Sequence, residues 1–220
     1  MSASPPEAVG TRVKICGLRD AAMVRVAARE GAWAVGVVFA DGPRSVGLDE
    51  ARAALADAAE LPARVGVFVD PTLEELARAV EVCGLTHVQL HASRLRADEV
   101  REAVPGCGVV RGVRFTGAQA VSGDADLTLY DAAVPGMHGG TGVALDWDAL
   151  AASGAPRPFG VAGGLRADNV ERAIAVLRPD LVDTSSGVES SPGVKDARLI
   201  AEFCAAVRAA DDNARTEGHE

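Results

Sequence analysis

Eight short runs rich in β-branched and apolar residues recur along the chain, and amphipathic, Ala-rich stretches separate most of them. The runs cover residues 12–17, 34–39, 63–70, 87–92, 109–115, 127–132, 159–164 and 181–187. Helical spacing fits residues 20–30, 49–59, 72–82, 94–104, 147–152, 168–177 and 195–209. Strand and helix in strict alternation is the pattern of βαβ units, and hence of a parallel sheet. Asp20, Thr72 and Asp168 stand where an N-cap or first-turn acid belongs. Only residues 116–126 separate the fifth and sixth runs, too few for a full helix, so the helix after strand 5 is expected to be short or missing.

Eight parallel strands form either an open doubly wound sheet or a closed (β/α)₈ TIM barrel. An open sheet concentrates its functional side chains at one switch point. Here polar residues end strands along the whole chain, which favours closure around a common mouth. At 220 residues the chain fits one such domain, expected over residues 11–210, with flexible termini at 1–10 and 211–220.

Charge narrows the function. A net charge of −9 without a basic stripe argues against a nucleic-acid groove. No apolar run is long enough for a membrane span, and no secretory leader pattern is visible, so a cytoplasmic protein is expected. Cys16, Cys83, Cys107 and Cys204 lack CxxC spacing, which suggests neither a zinc site nor a redox pair. The only lysines are Lys14 and Lys195.

The last two runs end in glycine-rich turns, Gly163-Gly164 and Ser185-Ser186-Gly187. Glycine lets backbone N–H groups approach an anion, and barrels often hold phosphate after strands 7 and 8. The hydroxyls of Ser185 and Ser186 are candidate extra donors. The plainer alternative is that these glycines only shape tight turns.

Two candidates for proton transfer stand at strand ends. By alternation Lys14 and Cys16 share the inner face at the first strand's end. A thiol has an ordinary pKa of about 8.5, and a neighbouring ammonium and a following helix start both favour its thiolate. A buried structural cysteine is the alternative. Asp131 shares a face with Leu127 and Leu129 and should emerge at the mouth, where poor solvation would raise its pKa and suit it to be a general acid. Its alternative role is to order the Gly139-Gly140-Thr141-Gly142 loop. Arg44, after Pro43, is either a solvated loop residue or a two-pronged receptor for a carboxylate.

Lys14-Ile15-Cys16-Gly17, Pro43-Arg44, Gln89-Leu90-His91, Asp131 with the Gly139–Gly142 loop and Asp146-Trp147, Gly163-Gly164-Leu165, and Asp183 with Ser185-Ser186-Gly187-Val188-Glu189 follow one another in unbroken order. Together with Pro192-Gly193-Val194-Lys195-Asp196, they resemble phosphoribosylanthranilate isomerase of tryptophan biosynthesis. The resemblance implies an Amadori rearrangement of N-(5-phosphoribosyl)anthranilate, with no metal or organic cofactor and a monomer or homodimer. It implies Asp131 as acid and Cys16 as base, and Arg44 on the anthranilate carboxylate. Lys14, Gln89, His91 and Asp183 then line the phosphorylated small-molecule substrate, and Gly163, Gly164, Ser185, Ser186 and Gly187 hold its phosphate. The chain departs from the family at Ala92, usually Gly, and at Gly42, usually Ser. The rivals are a histidine-pathway phosphoribosyl aminosugar isomerase, which carries a carboxylate where this chain has Cys16, a dual-substrate isomerase, and a non-catalytic phosphate-binding barrel. A Schiff-base aldolase is disfavoured by the scarcity of lysine.

Overall fold

Branched side chains crowd a helical turn but suit an extended, packed backbone, and the Val-rich runs are the strands of this fold. The computed structural model describes residues 10–117, 124–132 and 145–217. The strands are β1 (Arg12–Ile15), β2 (Ala34–Val38), β3 (Ala63–Val69), β4 (His87–His91), β5 (Gly108–Phe115), β6 (Leu127–Ala132), β7 (Phe159–Val161) and β8 (Leu181–Thr184). Each pairs in parallel with the next, and β8 pairs with β1 to close an eight-stranded barrel. The expected strands 7 and 8 ran too long. Gly163 and Gly164 take positive φ, +90° and +69°, and residues Ser186–Val188 wind into a 3₁₀ turn.

The helices are α1 (Ala21–Arg29), α2 (Leu48–Ala54), α3 (Leu73–Cys83), α4 (Ala97–Ala103), α5 (Trp147–Ala152), α6 (Val170–Leu177) and α7 (Ala197–Glu217). Among the described residues none between β5 and β6 is helical. Asp20 caps α1 by accepting from the Met23 N–H at 2.9 Å, and Thr72 and Glu75 form a reciprocal box at the start of α3. Asp168 does not cap α6. Asn169 occupies that position, accepting from the Arg166 N–H and donating to the Gly164 carbonyl, while Asp168 pairs with Arg166 on the surface.

The C-terminal end also differs from expectation. Residues 211–217 continue α7, and Asp211 accepts from the Thr11 N–H and hydroxyl at 2.7 and 2.8 Å, which ties the helix to the chain just before β1. At its other end α7 starts two residues after Lys195. Lys195 belongs instead to a hairpin of β9 (Glu189–Ser191) and β10 (Val194–Lys195), absent from the sequence reading because both strands are very short.

The core has two layers. The larger lies between the outer strand faces and the helices and includes Ile15, Val35, Leu76, Leu90, Ile200 and Phe203. The smaller lies inside the barrel in two clusters, Leu127, Leu129, Ala162 and Leu181, and Ala34, Ala63 and Val65. The upper interior holds Lys14, Gln89 and Asp183, all buried.

The end of β4 carries backbone strain. Ala92, just after β4, sits at φ +47°, where a Cβ is disfavoured. Ala92→Gly is expected to stabilise the fold by about 1 kcal/mol despite the greater freedom of unfolded Gly, raising Tm by roughly 2–4 °C for a chain of this size. Calorimetry checks this; an unchanged or lower Tm refutes strain at Ala92.

Candidate active site

Strand alternation puts Lys14 and Cys16 on one face, and that face is the barrel interior. A Cβ built on Gly36 of β2 would come within 3.1 Å of Cys16 Sγ and 3.3 Å of Lys14 Nζ. Both side chains therefore lie over Gly36, and the missing methyl makes room for them. Lys14 Nζ donates to Asp183 Oδ2 at 2.9 Å, with both side chains under 10% exposed. Desolvation works against the Lys14 charge, but Asp183 and Cys16 outweigh it and keep Lys14 cationic. Burial likewise pushes Asp183 up, against the pull of the ammonium.

The thiol does not behave as its neighbour alone suggests. Burial raises the Cys16 pKa and Asp183 adds to this, while Lys14 and Lys195 pull it down. Removal from water wins, so the resting group is the thiol, a point the sequence left open. Lys14 limits how far it rises.

Asp131 ends β6 on the same inner face as Leu129. Burial pushes its carboxyl up to about 6, the Asp183 charge adds to the rise, and the Ala132 N–H bond at 2.8 Å, Arg114 and Lys14 oppose it. The β7 turn passes directly against it, since a Cβ on Gly163 would stand 2.7 Å from Asp131 Oδ1. The Gly139–Gly142 loop, its alternative partner, lies outside the described residues.

Arg44 is held, not solvated. Its Nε and Nη2 donate to Glu189 Oε1 and Oε2, each at 2.8 Å, and its stem lies on Gly17, beside Cys16. Glu189 also accepts from Lys195 Nζ at 2.7 Å, and that ammonium donates to the Ser185 carbonyl and hydroxyl. The Ser185 hydroxyl in turn donates to the Cys16 carbonyl at 3.1 Å. A hydroxyl has one proton, so Ser185 does not offer the extra phosphate donor expected from sequence. Backbone groups remain: the N–H groups of Gly163 and Gly164 donate to no backbone acceptor among the described residues. Gly187 serves packing, because a Cβ there would lie 1.9 Å from the Leu165 carbonyl.

On β4, Gln89 and His91 share the inner face and are linked at 2.8 Å, Gln89 almost fully buried beneath His91. The structure thus brings together Lys14, Cys16 and Asp183, sets Asp131 within their field, and places Gln89 one layer down. Sequence reasoning assigned no role to Glu189 or Lys195. The one available hint was that Lys195 is one of only two lysines.

A cavity of about 200 Å³ lies in the other half of the barrel, lined by Arg12, Trp33, His87, Gln89, Leu129 and Leu181. Its wall is mostly carbon, with Lys14, His87, Asp126 and Asp180 also on it, but barrel enzymes work at the C-terminal rim. The rim is therefore the candidate site.

Known proteins resemble this chain over nearly its whole length. Residues 13–206 match the family model for N-(5'phosphoribosyl)anthranilate (PRA) isomerase. The N-(5'-phosphoribosyl)anthranilate isomerase of Syntrophomonas wolfei is 40% identical over 197 residues, covering 88% of this chain and 95% of the relative. The crystal structure of phosphoribosyl anthranilate isomerase from Thermus thermophilus superposes with a TM-score of 0.76 at 32% identity, covering 90% of this chain and 99% of that one. A phosphoribosyl anthranilate isomerase in complex with reduced 1-(o-carboxyphenylamino)-1-deoxyribulose 5-phosphate gives 0.72 at 29% identity, with the same coverage.

The raised Asp131 carboxyl has a consequence for stability. Its folded pKa of about 6 exceeds the ordinary 3.8, so the folded state holds the proton more tightly. The associated stability is present at low pH and lost as pH rises through about 6. Ionised Asp131 therefore costs on the order of 1–3 kcal/mol at pH 8. Asp131→Asn should be more stable than the wild type at pH 8, with a gap that widens from pH 5 and levels off above about pH 6–7. Urea unfolding across this range measures it; a pH-independent gap contradicts a raised carboxyl.

Proposed function

The chain belongs to the N-(5'-phosphoribosyl)anthranilate isomerase family, and we propose that Asp131 and Cys16 are the acid and base of its rearrangement. The reaction converts N-(5-phosphoribosyl)anthranilate to 1-(2-carboxyphenylamino)-1-deoxyribulose 5-phosphate. The observation that carries the assignment is a burial-raised carboxyl and a buried thiol that both feel one Lys14–Asp183 pair at the barrel rim.

Asp131 gives its proton to the furanose ring oxygen as the C1′–O bond breaks, and the anilino nitrogen supplies electrons to form a C1′=N iminium. The iminium acidifies C2′–H, whose proton passes to the Cys16 sulfur while the electron pair forms C1′=C2′ and neutralises the nitrogen. The resulting enolamine becomes the ketone when C1′ gains a proton and the C2′ hydroxyl loses one. Arg44 receives the anthranilate carboxylate, and the Gly163-Gly164 and Ser186-Gly187 backbone receives the phosphate. His91 lines the pocket with Gln89 steadying it from below. Asp183 Oδ1, buried and without a hydrogen-bond partner among the described residues, is an acceptor suited to a sugar hydroxyl or the anilino N–H.

The productive form needs Asp131 protonated and Cys16 ionised, so the pair carries one proton between them. With the carboxyl near 6 and the thiol raised, kcat/KM should fall below about pH 6, where a second proton is taken up, and again where the thiol ionises above its ordinary value. The assay is loss of anthranilate fluorescence with substrate generated in place. Cys16→Ala and Asp131→Asn should each lower kcat by at least about 100-fold with folding intact. Turnover that survives either substitution rejects that role. No turnover by folded wild type rejects the substrate and favours the histidine-pathway aminosugar.

A further inference from the structure

We propose that Glu189 and Lys195 are a positioning pair that aims Arg44 at the substrate carboxylate. The proposal rests on the reading of Arg44 given above. Three ionisable side chains sit together with little exposure: Arg44 at 14%, Glu189 at 4% and Lys195 at 2%. Two cations and one carboxylate leave a formal charge of +1. Buried ions persist when they are paired and hydrogen-bonded, and this group lacks one anion to be balanced.

The hydrogen bonding says where that anion goes. A guanidinium has two edges that can grip a carboxylate in parallel. Glu189 takes the Nε/Nη2 edge, which leaves the Nη1/Nη2 edge to grip an incoming carboxylate. Without Glu189, Arg44 would swing about its flexible stem and lose that aim. Lys195 does for Glu189 what Glu189 does for Arg44: its ammonium bonds Oε1, and its bonds to Ser185 anchor the group to β8.

The backbone is locked in step. Glu189 and Lys195 face each other across the β9–β10 hairpin, and the hairpin turn presses on the residue before Arg44, since a Cβ on Gly193 would lie 2.3 Å from the Pro43 carbonyl. Through Ser185, which donates to the Cys16 carbonyl, the cluster also reaches the backbone of the proposed base. One buried carboxylate thus aligns the carboxylate receptor and fixes the loop that follows β8.

The test uses two competitive inhibitors: reduced 1-(o-carboxyphenylamino)-1-deoxyribulose 5-phosphate and its analogue lacking the ring carboxylate. Wild type should prefer the first. Glu189→Gln keeps the shape but removes the charge, and should weaken the carboxylate-bearing inhibitor by about 10-fold while changing the other by less than about 2-fold. KM should rise with kcat nearly constant. Lys195→Met provides a second variant should Glu189→Gln not fold, with the same selective pattern. In an Arg44→Ala background, Glu189→Gln should add little further loss, because both act through one contact. Equal weakening of the two inhibitors, or a loss that is the same in both backgrounds, means a merely structural role and overturns the proposal. A wild type that does not distinguish the inhibitors overturns the Arg44 reading itself, and with it the role of the pair.

Discussion

The Lys14–Asp183 ion pair is the contact on which the upper half of this barrel depends. Moving each charge out of water costs several kcal/mol even after relaxation, and only a close, well-directed partner offsets it. The two residues stand directly opposite in the register between β1 and β8, the seam that closes the barrel. A slip of one residue at that seam would turn Lys14 to the helix layer and leave Asp183 alone inside. Closure of the sheet and the charge state of the site are therefore one interaction. Gly36 makes it sterically possible, since a side chain on β2 would occupy the space of the Lys14 ammonium.

From that pair the behaviour of both proton-transfer groups follows. Lys14 favours the ionised form of Cys16 and of Asp131, and Asp183 disfavours it for each. The two effects oppose one another, so burial decides the direction and both groups rise. The result is a carboxyl that holds its proton up to about pH 6 and a thiol that ionises reluctantly. In the proposed rearrangement, positive charge developing at C1′ acidifies C2′–H and at the same time favours the thiolate that is to receive its proton.

Much of this was legible in the sequence, for reasons that are local. Alternation along β1 and β6 placed Lys14, Cys16 and Asp131 on the inner face, and the Thr72 and Asp20 caps needed only neighbouring residues. Errors arose where a distant partner overrides local preference. The start of α6 is a local exception: Asn169 stands there instead of Asp168, with its side chain bonded to Gly164 and Arg166, within five residues. Asp211 looked like a frayed terminus, yet its partner is Thr11, 200 residues away in sequence. Arg44 and Glu189 are 145 apart, and no periodicity links them. The ionisation of Cys16 stayed open in the sequence: its helpful neighbour was visible, but the depth of its burial was not.

The interior is divided in a way that separates strength from reactivity. Below, Leu127, Leu129 and Leu181 give the barrel a carbon core whose burial is worth roughly 1.5–3 kcal/mol for each large side chain. Above, the fold tolerates a costly carboxyl at Asp131 and an oxygen on Asp183 that has no hydrogen-bond partner among the described residues. An unmet buried acceptor costs about 1–3 kcal/mol, a cost that a substrate donor would remove in the binding mode proposed for Asp183. Gln89 Oε1 is also unmet, but it lies beneath His91, beside the lower cavity, and binding at the rim does not reach it directly. The distinction between these two oxygens is one of position: the same chemical deficit becomes binding energy at the strand ends and remains a standing cost one layer below.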